Sequence, residues 1–140
     1  MAVLEAAAVT LTDMAGNLPL LEKNKQLLED DCKKRITVKE LMWGSCVQNF
    51  DPPLDIIVAT DVVYNHDVVQ PLVDTLKALS GPHTHVYFAY GRNRTAEESF
   101  FNLAHKEFAS QALTTPDLDA MYHCDDVDVY TLKLQTPQVS

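Results

Sequence analysis

The fold is decided by the stretch Asp55-Ile-Ile-Val-Ala-Thr-Asp-Val-Val-Tyr64. Ile56 to Thr60 are apolar or β-branched and carry no charge, which is typical of a strand buried on both faces in a parallel sheet covered by helices. Asp61 and Tyr64 follow at the carboxyl end of this strand, the edge at which open α/β sheets bind ligands. The stretch therefore predicts a ligand site there, with a core strand followed by a solvated aspartate as the alternative.

Length and charge limit the class of protein. A chain of 140 residues with a hydrophobic share of 46% is expected to form a single domain, residues 1–140, with its own core. The formal charge of −9 and the lack of a Lys/Arg run disfavour nucleic-acid binding. An acidic surface of this kind suits a basic partner, such as a protein that presents a lysine.

Cysteine usage and hydropathy indicate the compartment. The three cysteines, Cys32, Cys46 and Cys124, form no CxxC pair, so free thiols in a reducing compartment are expected. No stretch approaches the roughly 20 apolar residues that span a bilayer, and the first residues lack the basic start of a signal peptide. The sequence therefore predicts a cytoplasmic protein without membrane contact, with the nucleus as the alternative.

Before the central strand, the chain alternates between predicted helix and strand. Its alanine-rich start, Ala2 to Ala8, indicates the end of a helix. A strand at Val9-Thr-Leu-Thr12 follows, and after it a helix capped by Asn17 with Pro19 in its first turn. This helix is expected to bury one apolar face, formed by Leu20, Leu21, Leu27 and Leu28. A further strand is predicted at Ile36–Leu41.

After the central strand, the pattern of helices and strands continues. A helix capped by Asn65 or Asp67 and ended by Gly81-Pro82 places its apolar residues at helical spacing, at Val69, Leu72, Val73, Leu76 and Leu79. The predicted elements that follow are a strand at His85–Tyr90, a helix opened by the capping box Thr95–Glu98 and burying Phe101, Ala104 and Phe108, an extended piece near Ala112, and a strand at Val127–Leu134. The order predicts an α/β fold with a mainly parallel sheet.

Candidate functional residues fall at the carboxyl ends of three predicted strands. They are Asp13, the turn Met42-Trp-Gly44, and Thr60 with Asp61. In nucleotide-binding sheets, an acid at the end of the second strand accepts hydrogen bonds from ribose hydroxyls. A neighbouring tryptophan can stack on an adenine. The alternatives are a turn residue for Asp13, a core residue for Trp43 and a helix cap for Asp61.

These motifs together resemble a known family. Asp13 after its strand, the run Lys39-Glu-Leu-Met-Trp-Gly44 and the stretch Asp55–Tyr64 are similar to class I, seven-stranded methyltransferases that use S-adenosyl-L-methionine (AdoMet). Within that class they look most like the methyltransferase-like protein-lysine methyltransferases, which carry an Asp-x-x-Tyr motif, here Asp61-Val-Val-Tyr64. The resemblance implies a Rossmann-like twisted sheet with helices on both faces, and a protein partner that presents a lysine.

The resemblance also implies a role for individual residues. Asp13 would bind the AdoMet ribose, and Met14 would lie beside the adenine. Trp43 would flank the adenine from the other strand end. Ala59 and Thr60 would lie under the cofactor. The catalytic positions implied by the motif are Asp61 and Tyr64, which would shape the pocket of the acceptor lysine.

One part of the family pattern is missing. The family's first strand and glycine-rich loop have no counterpart, because no glycine precedes Asp13. The expectation is therefore an N-terminally truncated, catalytically incomplete domain with exposed sheet edges, through which it self-associates. The main alternative is a non-catalytic protein-interaction module of the same fold. A fragment of a small-molecule or nucleic-acid methyltransferase is the third possibility.

Other clusters carry less weight. His83 and His85 lie two apart on a predicted strand, and His123-Cys124 could join them, but their spacing matches no structural zinc site, so no metal is predicted. Arg92 and Arg94 follow the strand at His85 and could contact acidic groups of a substrate, although solvated loop arginines are common. The acidic cluster at Asp125, Asp126 and Asp128 lacks the calcium-loop pattern.

Overall fold

The structure is a computed structural model that describes residues 6–91, 96–119, 121 and 124–135. Residues 1–140, expected to form one domain, divide into two compact units, Met1–Met42 and Trp43–Ser140. None of the described helices combines the length and the apolar character needed to cross a bilayer. The three cysteines are free thiols, as expected.

The first unit is built on a two-stranded parallel sheet. Its elements are β1 (Val9–Asp13), α1 (Leu18–Gln26), the short α2 (Asp30–Lys33) and β2 (Ile36–Glu40). The register places Val9 opposite Ile36 and Asp13 opposite Glu40, so both carboxyl ends lie at the same edge. Helix α1 begins as expected, with Asn17 at the N-cap position and a proline in its first turn.

Two expectations for the first unit are wrong. Leu20 is 59% and Leu27 79% exposed, and no residue of α1 is buried, so the expected buried leucine face does not form. A two-stranded sheet offers little apolar surface against which a helix could pack, and Leu27 and Leu28 lie beyond the end of α1. Residues 6–8 are not helical either; the Ala6 carbonyl accepts a hydrogen bond of 3.2 Å from the Arg35 guanidinium, and the chain runs directly into β1. The rest of the expected N-terminal helix lies outside the described residues.

The second unit contains a four-stranded mixed sheet. Its elements are β3 (Ile56–Thr60), α3 (Val69–Leu79), β4 (His85–Gly91), α4 (Glu97–Ala104), β5 (Phe108–Ala112) and β6 (Val127–Leu134). The strand order is β3-β4-β6-β5, with β3 and β4 parallel and β6 antiparallel to both of its neighbours. The α/β class is confirmed, but the expected mainly parallel sheet is a mixed one because β6 enters in the reverse direction.

The core of the second unit lies on one face of this sheet. Phe88 in β4 and Phe100 in α4 are fully buried and stack with ring centroids 4.3 Å apart and an interplanar angle of 4°. Helix α3 adds the buried apolar residues that its helical spacing predicts. Phe108, expected at the end of α4, is buried as the first residue of β5, because α4 ends at Ala104. Phe100 rather than Phe101 is the deeper of the two helix aromatics.

The expectation that β3 is buried on both faces is wrong. Ile56 is 60% and Val58 57% exposed, whereas Ala59 is only 8% exposed. Tyr87, the register partner of Val58, is 39% exposed on the same face. Alternate strand residues point to opposite faces, and the residues of α3 and α4 in the core cluster pack on the face of Ala59 and Phe88. An uninterrupted apolar run in the sequence therefore indicates a hydrophobic strand, but it does not show which faces of that strand are covered by helices.

We expect Phe88→Ala and Tyr87→Ala, neighbours on opposite faces of β4, to differ sharply in stability. Phe88→Ala removes a fully buried ring and should lower the free energy of unfolding by about 3–5 kcal/mol. Tyr87→Ala should lower it by under about 1 kcal/mol. Urea unfolding followed by far-UV circular dichroism measures both. Similar losses for the two variants would contradict the one-sided core.

Candidate functional site

Asp13 ends β1 with its carboxylate held in a fixed direction. Its Oδ1 accepts hydrogen bonds from the Met14 backbone amide at 2.7 Å and from the Asn17 side-chain amide at 2.9 Å. Both bonds come from residues that follow directly in the chain, so the local sequence sets this geometry. Asn17 occupies the N-cap position of α1, but its side chain contacts Asp13 instead of capping the helix. The result is an oriented acid at a strand end, where the sequence predicts it.

Three further side chains share this edge of the first unit. Glu40 ends β2 directly opposite Asp13, and the Leu41 amide donates a 2.9 Å hydrogen bond to the Asp13 carbonyl. Met14 is 54% and Met42 59% exposed after the two strand ends. The edge therefore combines two carboxylates with two exposed, polarisable apolar side chains. Such a set can accept hydrogen bonds from a diol and contact a flat ring.

The turn of Trp43 in the second unit depends on Gly44. Gly44 has φ of +81°, and a β-carbon there would lie 3.3 Å from Cβ of Pro71. Its amide donates a 2.7 Å hydrogen bond to Oγ1 of Thr75, a buried residue of α3. Glycine is thus required both by backbone conformation and by the approach to α3. The turn holds Trp43, half-buried, against the edge of the core.

Asp61 lies directly after β3 in a conformation that few residues adopt. Its φ is +54°, in the left-handed region that aspartate and asparagine tolerate better than other side chains. Its amide donates a 2.9 Å hydrogen bond to the Ala89 carbonyl, and its Oδ1 accepts a 3.3 Å bond from the Gly91 amide. These bonds to β4 turn the chain sharply away from the sheet and leave the Asp61 carboxylate exposed at its edge.

Tyr64 lies beside Trp43. Their ring centroids are 6.3 Å apart with an interplanar angle of 45°, and Tyr64 is 54% exposed. Val63, fully buried, fixes the chain between Asp61 and Tyr64. The second unit therefore places two of the predicted site residues, Trp43 and Tyr64, beside each other, and Asp61 precedes Tyr64 by three residues in the chain. A carboxylate and aromatic rings are the groups that bind an amine with an aliphatic stem.

The remaining predicted residues differ in accessibility. Thr60 is exposed, and Ala59 is 8% exposed with its side chain in the core cluster. Because the Ala59 side chain is buried, only its backbone could lie under a cofactor, and this role stays a prediction. Asp13 and Met14 belong to the first unit, and Trp43, Asp61 and Tyr64 belong to the second.

Other predicted residues fall outside the site or outside the described ranges. Arg92, Arg94 and His123 are among the residues that the structure does not describe, as is Thr95 of the expected capping box. Within the described ranges, no three His, Cys, Asp or Glu side chains are grouped so that they could hold a metal ion.

Five residues around the candidate site were not singled out as functional by the sequence analysis. The Gly91 amide contacts Asp61, His66 bonds to Ser99 at 2.9 Å, and Glu97 accepts a 2.6 Å bond from the Tyr90 hydroxyl. A glycine ending a strand could have pointed to Gly91. No local pattern marks His66 and Ser99, which lie 33 residues apart in the chain.

Comparison of the sequence with known proteins identifies a family and several relatives. Residues 1–107 match the family model described as lysine methyltransferase. Protein N-lysine methyltransferase METTL21A of Mus musculus is 26% identical over 136 residues, which cover 96% of this chain and 59% of the relative. EEF1A lysine methyltransferase 3 of Xenopus tropicalis is 32% identical over 81 residues, which cover 58% of this chain and 36% of the relative. The chain thus spans about three fifths of the first relative's length and less of the second.

Solved structures share the fold. The glycopeptide N-methyltransferase MtfA in complex with S-adenosyl-L-homocysteine superimposes with a TM-score of 0.73 at 9% identity, covering 91% of this chain and 74% of that chain. A TehB-like methyltransferase from Corynebacterium glutamicum gives a TM-score of 0.68 at 16% identity, covering 91% of this chain and 68% of that chain. At such low identity the likeness establishes a Rossmann-like α/β fold and nothing finer.

We expect Gly44→Ala to disturb Trp43, because a side chain at positive φ is strained and approaches Pro71. The free energy of unfolding should fall by about 1–2 kcal/mol, and the emission of Trp43, the chain's one tryptophan, should shift. Urea titrations followed by fluorescence measure both effects. The control is Gly16→Ala, where a β-carbon meets no atom within 4 Å. An equal effect at both glycines would contradict the proposed need for glycine in this turn.

Proposed function

The chain belongs to the lysine methyltransferase family, and we propose that it is an AdoMet-dependent protein-lysine N-methyltransferase domain. The observation that carries this proposal is the placement of the Asp61–Tyr64 motif, inside the family match, at the carboxyl end of β3. The aromatic pair of Trp43 and Tyr64 at the same edge supports it. The alternative is a non-catalytic protein-interaction module of the same fold.

The first unit has residues that fit the adenosine part of AdoMet. A ribose offers two hydroxyl donors, which suit a carboxylate already oriented through Oδ1, as in Asp13. An adenine ring suits an exposed apolar neighbour, and Met14 provides one. Within the first unit we assign the ribose to Asp13 and the adenine to Met14. The cofactor roles of Trp43, Ala59 and Thr60, which belong to the second unit, stay predictions of the family resemblance.

The second unit has residues that fit the acceptor lysine. When bound, AdoMet supplies an electrophilic methyl group on a sulfonium sulfur. The attacking amine must be neutral, so a bound ammonium ion would first have to give its proton to solvent water. In our proposal the Asp61 carboxylate draws the amine to the edge of β3, and the ring of Tyr64 flanks its aliphatic stem. Holding the amine in line is then the main catalytic contribution.

The substrate is proposed to be a lysine in a protein. The net charge of −9 favours a basic partner over a nucleic acid. The name of EEF1A lysine methyltransferase 3 states a protein substrate for that relative, which makes EEF1A a reasonable first protein to test. Isothermal titration with AdoMet, followed by transfer of a labelled methyl group to EEF1A or to lysine-containing peptides, tests the proposal. Absence of any AdoMet binding would favour the non-catalytic module.

We expect Asp13→Ala to weaken AdoMet binding. Hydrogen bonds between a carboxylate and hydroxyl groups contribute about 1.5–3 kcal/mol, which corresponds to about a 10- to 150-fold rise in the dissociation constant. Calorimetric titration of both proteins with AdoMet measures the change. Asp30→Ala serves as the control, since Asp30 is an exposed acid of the same unit that pairs with Lys33 at 3.2 Å. If Asp13→Ala binds AdoMet with unchanged affinity, Asp13 does not bind the ribose and is only a turn residue.

We expect Asp61→Asn to reduce turnover far more than AdoMet affinity. Asparagine keeps the shape and tolerates the left-handed conformation, so the substitution removes charge without straining the backbone. The rate of methyl transfer under saturating AdoMet, compared with the AdoMet dissociation constant, separates the two effects. Equal losses of methyl-transfer rate and of AdoMet affinity would indicate that Asp61 contributes to cofactor binding instead.

We also propose that the edge strand β3 pairs with β3 of a second copy. Ile56 and Val58 are exposed on an edge strand, a known cause of association. An antiparallel pair centred on Val58 would place Val58 opposite its counterpart and Ile56 opposite Thr60. It would also bring Asp55 near Asp61 of the other copy, so the two copies repel electrostatically. Association is therefore expected to be weak and sensitive to salt.

Sedimentation velocity at low and at high salt tests this pairing. We expect the dimer fraction to rise with salt, because screening weakens the repulsion between the carboxylates. Val58→Lys should abolish the dimer. Gln111→Lys, an exposed position on β5 at the other edge of the sheet, should leave it intact. A monomer under all conditions, or equal effects of both lysines, would rule out the pairing through β3.

A further inference from the structure

The segment Asp61–His66 carries the two proposed site residues but contains no helix or strand before His66. Its start is fixed by the hydrogen bonds of Asp61 to β4, and its middle by the buried Val63. Tyr64 lies beyond these anchors and is exposed. The position of Tyr64 therefore depends on what holds the chain after it.

The chain after Tyr64 is held by helix α4. The His66 ring Nδ1 lies 2.9 Å from the Ser99 hydroxyl, which donates to Nδ1 when Nε2 carries the ring proton and accepts from Nδ1 when Nδ1 carries it. Asn65 Oδ1 accepts a 2.9 Å bond from the Asp67 amide and caps the short turn that contains His66. Through these bonds the segment is fixed at both sides of Tyr64.

The same helical turn also reaches the start of the segment. Glu97, two residues before Ser99, accepts a 2.6 Å hydrogen bond from the Tyr90 hydroxyl. Tyr90 is 1% exposed, and burial, followed by the bond to Glu97, raises the pKa of its hydroxyl far above the usual value, so it remains a donor. Its neighbour Gly91 donates to Asp61. The first turn of α4 is thus connected to both ends of the segment.

We propose that the first turn of α4, through Ser99 and Glu97, positions Asp61 and Tyr64 for the acceptor amine. Ser99, Glu97 and His66 are positioning residues, because they act through the segment and are not assigned any contact with a ligand. Their effect on turnover rests on the proposed function. Their effect on the place of Tyr64 does not, and it can be measured without any ligand.

The fluorescence of Trp43 can be used to measure the position of Tyr64. It is the one tryptophan of the chain, and Tyr64 lies against it with ring centroids 6.3 Å apart. Quenching of its fluorescence by acrylamide therefore reports how well Tyr64 covers it. Tyr64→Ala defines the uncovered state. We expect Ser99→Ala to move the quenching constant at least halfway from the wild-type value to that of Tyr64→Ala, and Ser99→Thr, which keeps the hydroxyl, to restore it.

A second histidine–serine bond provides the matched control. His105 Nε2 lies 2.7 Å from Oγ of Ser110 on β5, so Ser110→Ala removes the same kind of exposed bond elsewhere in the same unit. It should leave Trp43 quenching unchanged. His66→Ala should reproduce the effect of Ser99→Ala, and the double variant should add nothing further. The proposal would be overturned if Ser99→Ala and His66→Ala both kept the quenching constant of the wild type. It would also be overturned if Ser110→Ala shifted the quenching constant as much as Ser99→Ala does.

Kinetics test the consequence for catalysis separately. With AdoMet and an unmethylated lysine-containing peptide as methyl acceptor, Ser99→Ala should lower kcat/KM for the peptide by about two- to tenfold, the effect of one lost neutral hydrogen bond. The AdoMet dissociation constant should not change. If the wild-type chain transfers no methyl group, the proposed function fails while the quenching result still decides the positioning role. Loss of AdoMet affinity in Ser99→Ala would contradict positioning at the amine.

Discussion

The stacking of Phe88 on Phe100 is the contact on which the second unit depends. The two rings are fully buried, nearly parallel and 4.3 Å apart, and they join the central strand β4 to helix α4. Offset stacking of this kind adds about 0.5–1.5 kcal/mol to the free energy of burial. Because the stack fixes α4 against the sheet, it also fixes the first turn of α4. That turn carries the side chains that contact Tyr90 and His66.

The site therefore depends on packing that occurs away from it. Asp61 and Tyr64 are both exposed. Their backbone is fixed by β4 at one end, by Val63 in the middle and by α4 beyond Tyr64. A functional side chain on a loop gains its precision from the rigid elements that hold that loop. This arrangement agrees with a reaction in which alignment of an amine is the main requirement.

The same packing explains the uncovered face of the sheet. Residues of α3 and α4 pack with Ala59 and Phe88 in one core cluster, while Ile56 and Val58 remain exposed on the opposite face. Parallel strands are usually covered on both faces, so an exposed apolar edge strand is a surface that favours association. In the proposed pairing of two copies, the acids at its two ends, Asp55 and Asp61, would limit association by repulsion. The proposed acceptor site and the proposed pairing thus share one strand.

The sequence alone determined the class of fold, the main elements and the site positions at the strand ends. Helical spacing predicted α3 residue by residue, and the Asp61–Tyr64 motif was placed correctly after β3, because periodicity, caps and strand ends are local properties of a few neighbouring residues. Tertiary structure alone decided that Val58 is exposed while Ala59 is buried, that Phe108 begins β5, and that His66 meets Ser99. These outcomes depend on which helices cover which face and on contacts between residues distant in the chain. Local patterns carry no information about such pairings, since register and packing are fixed only when the elements assemble.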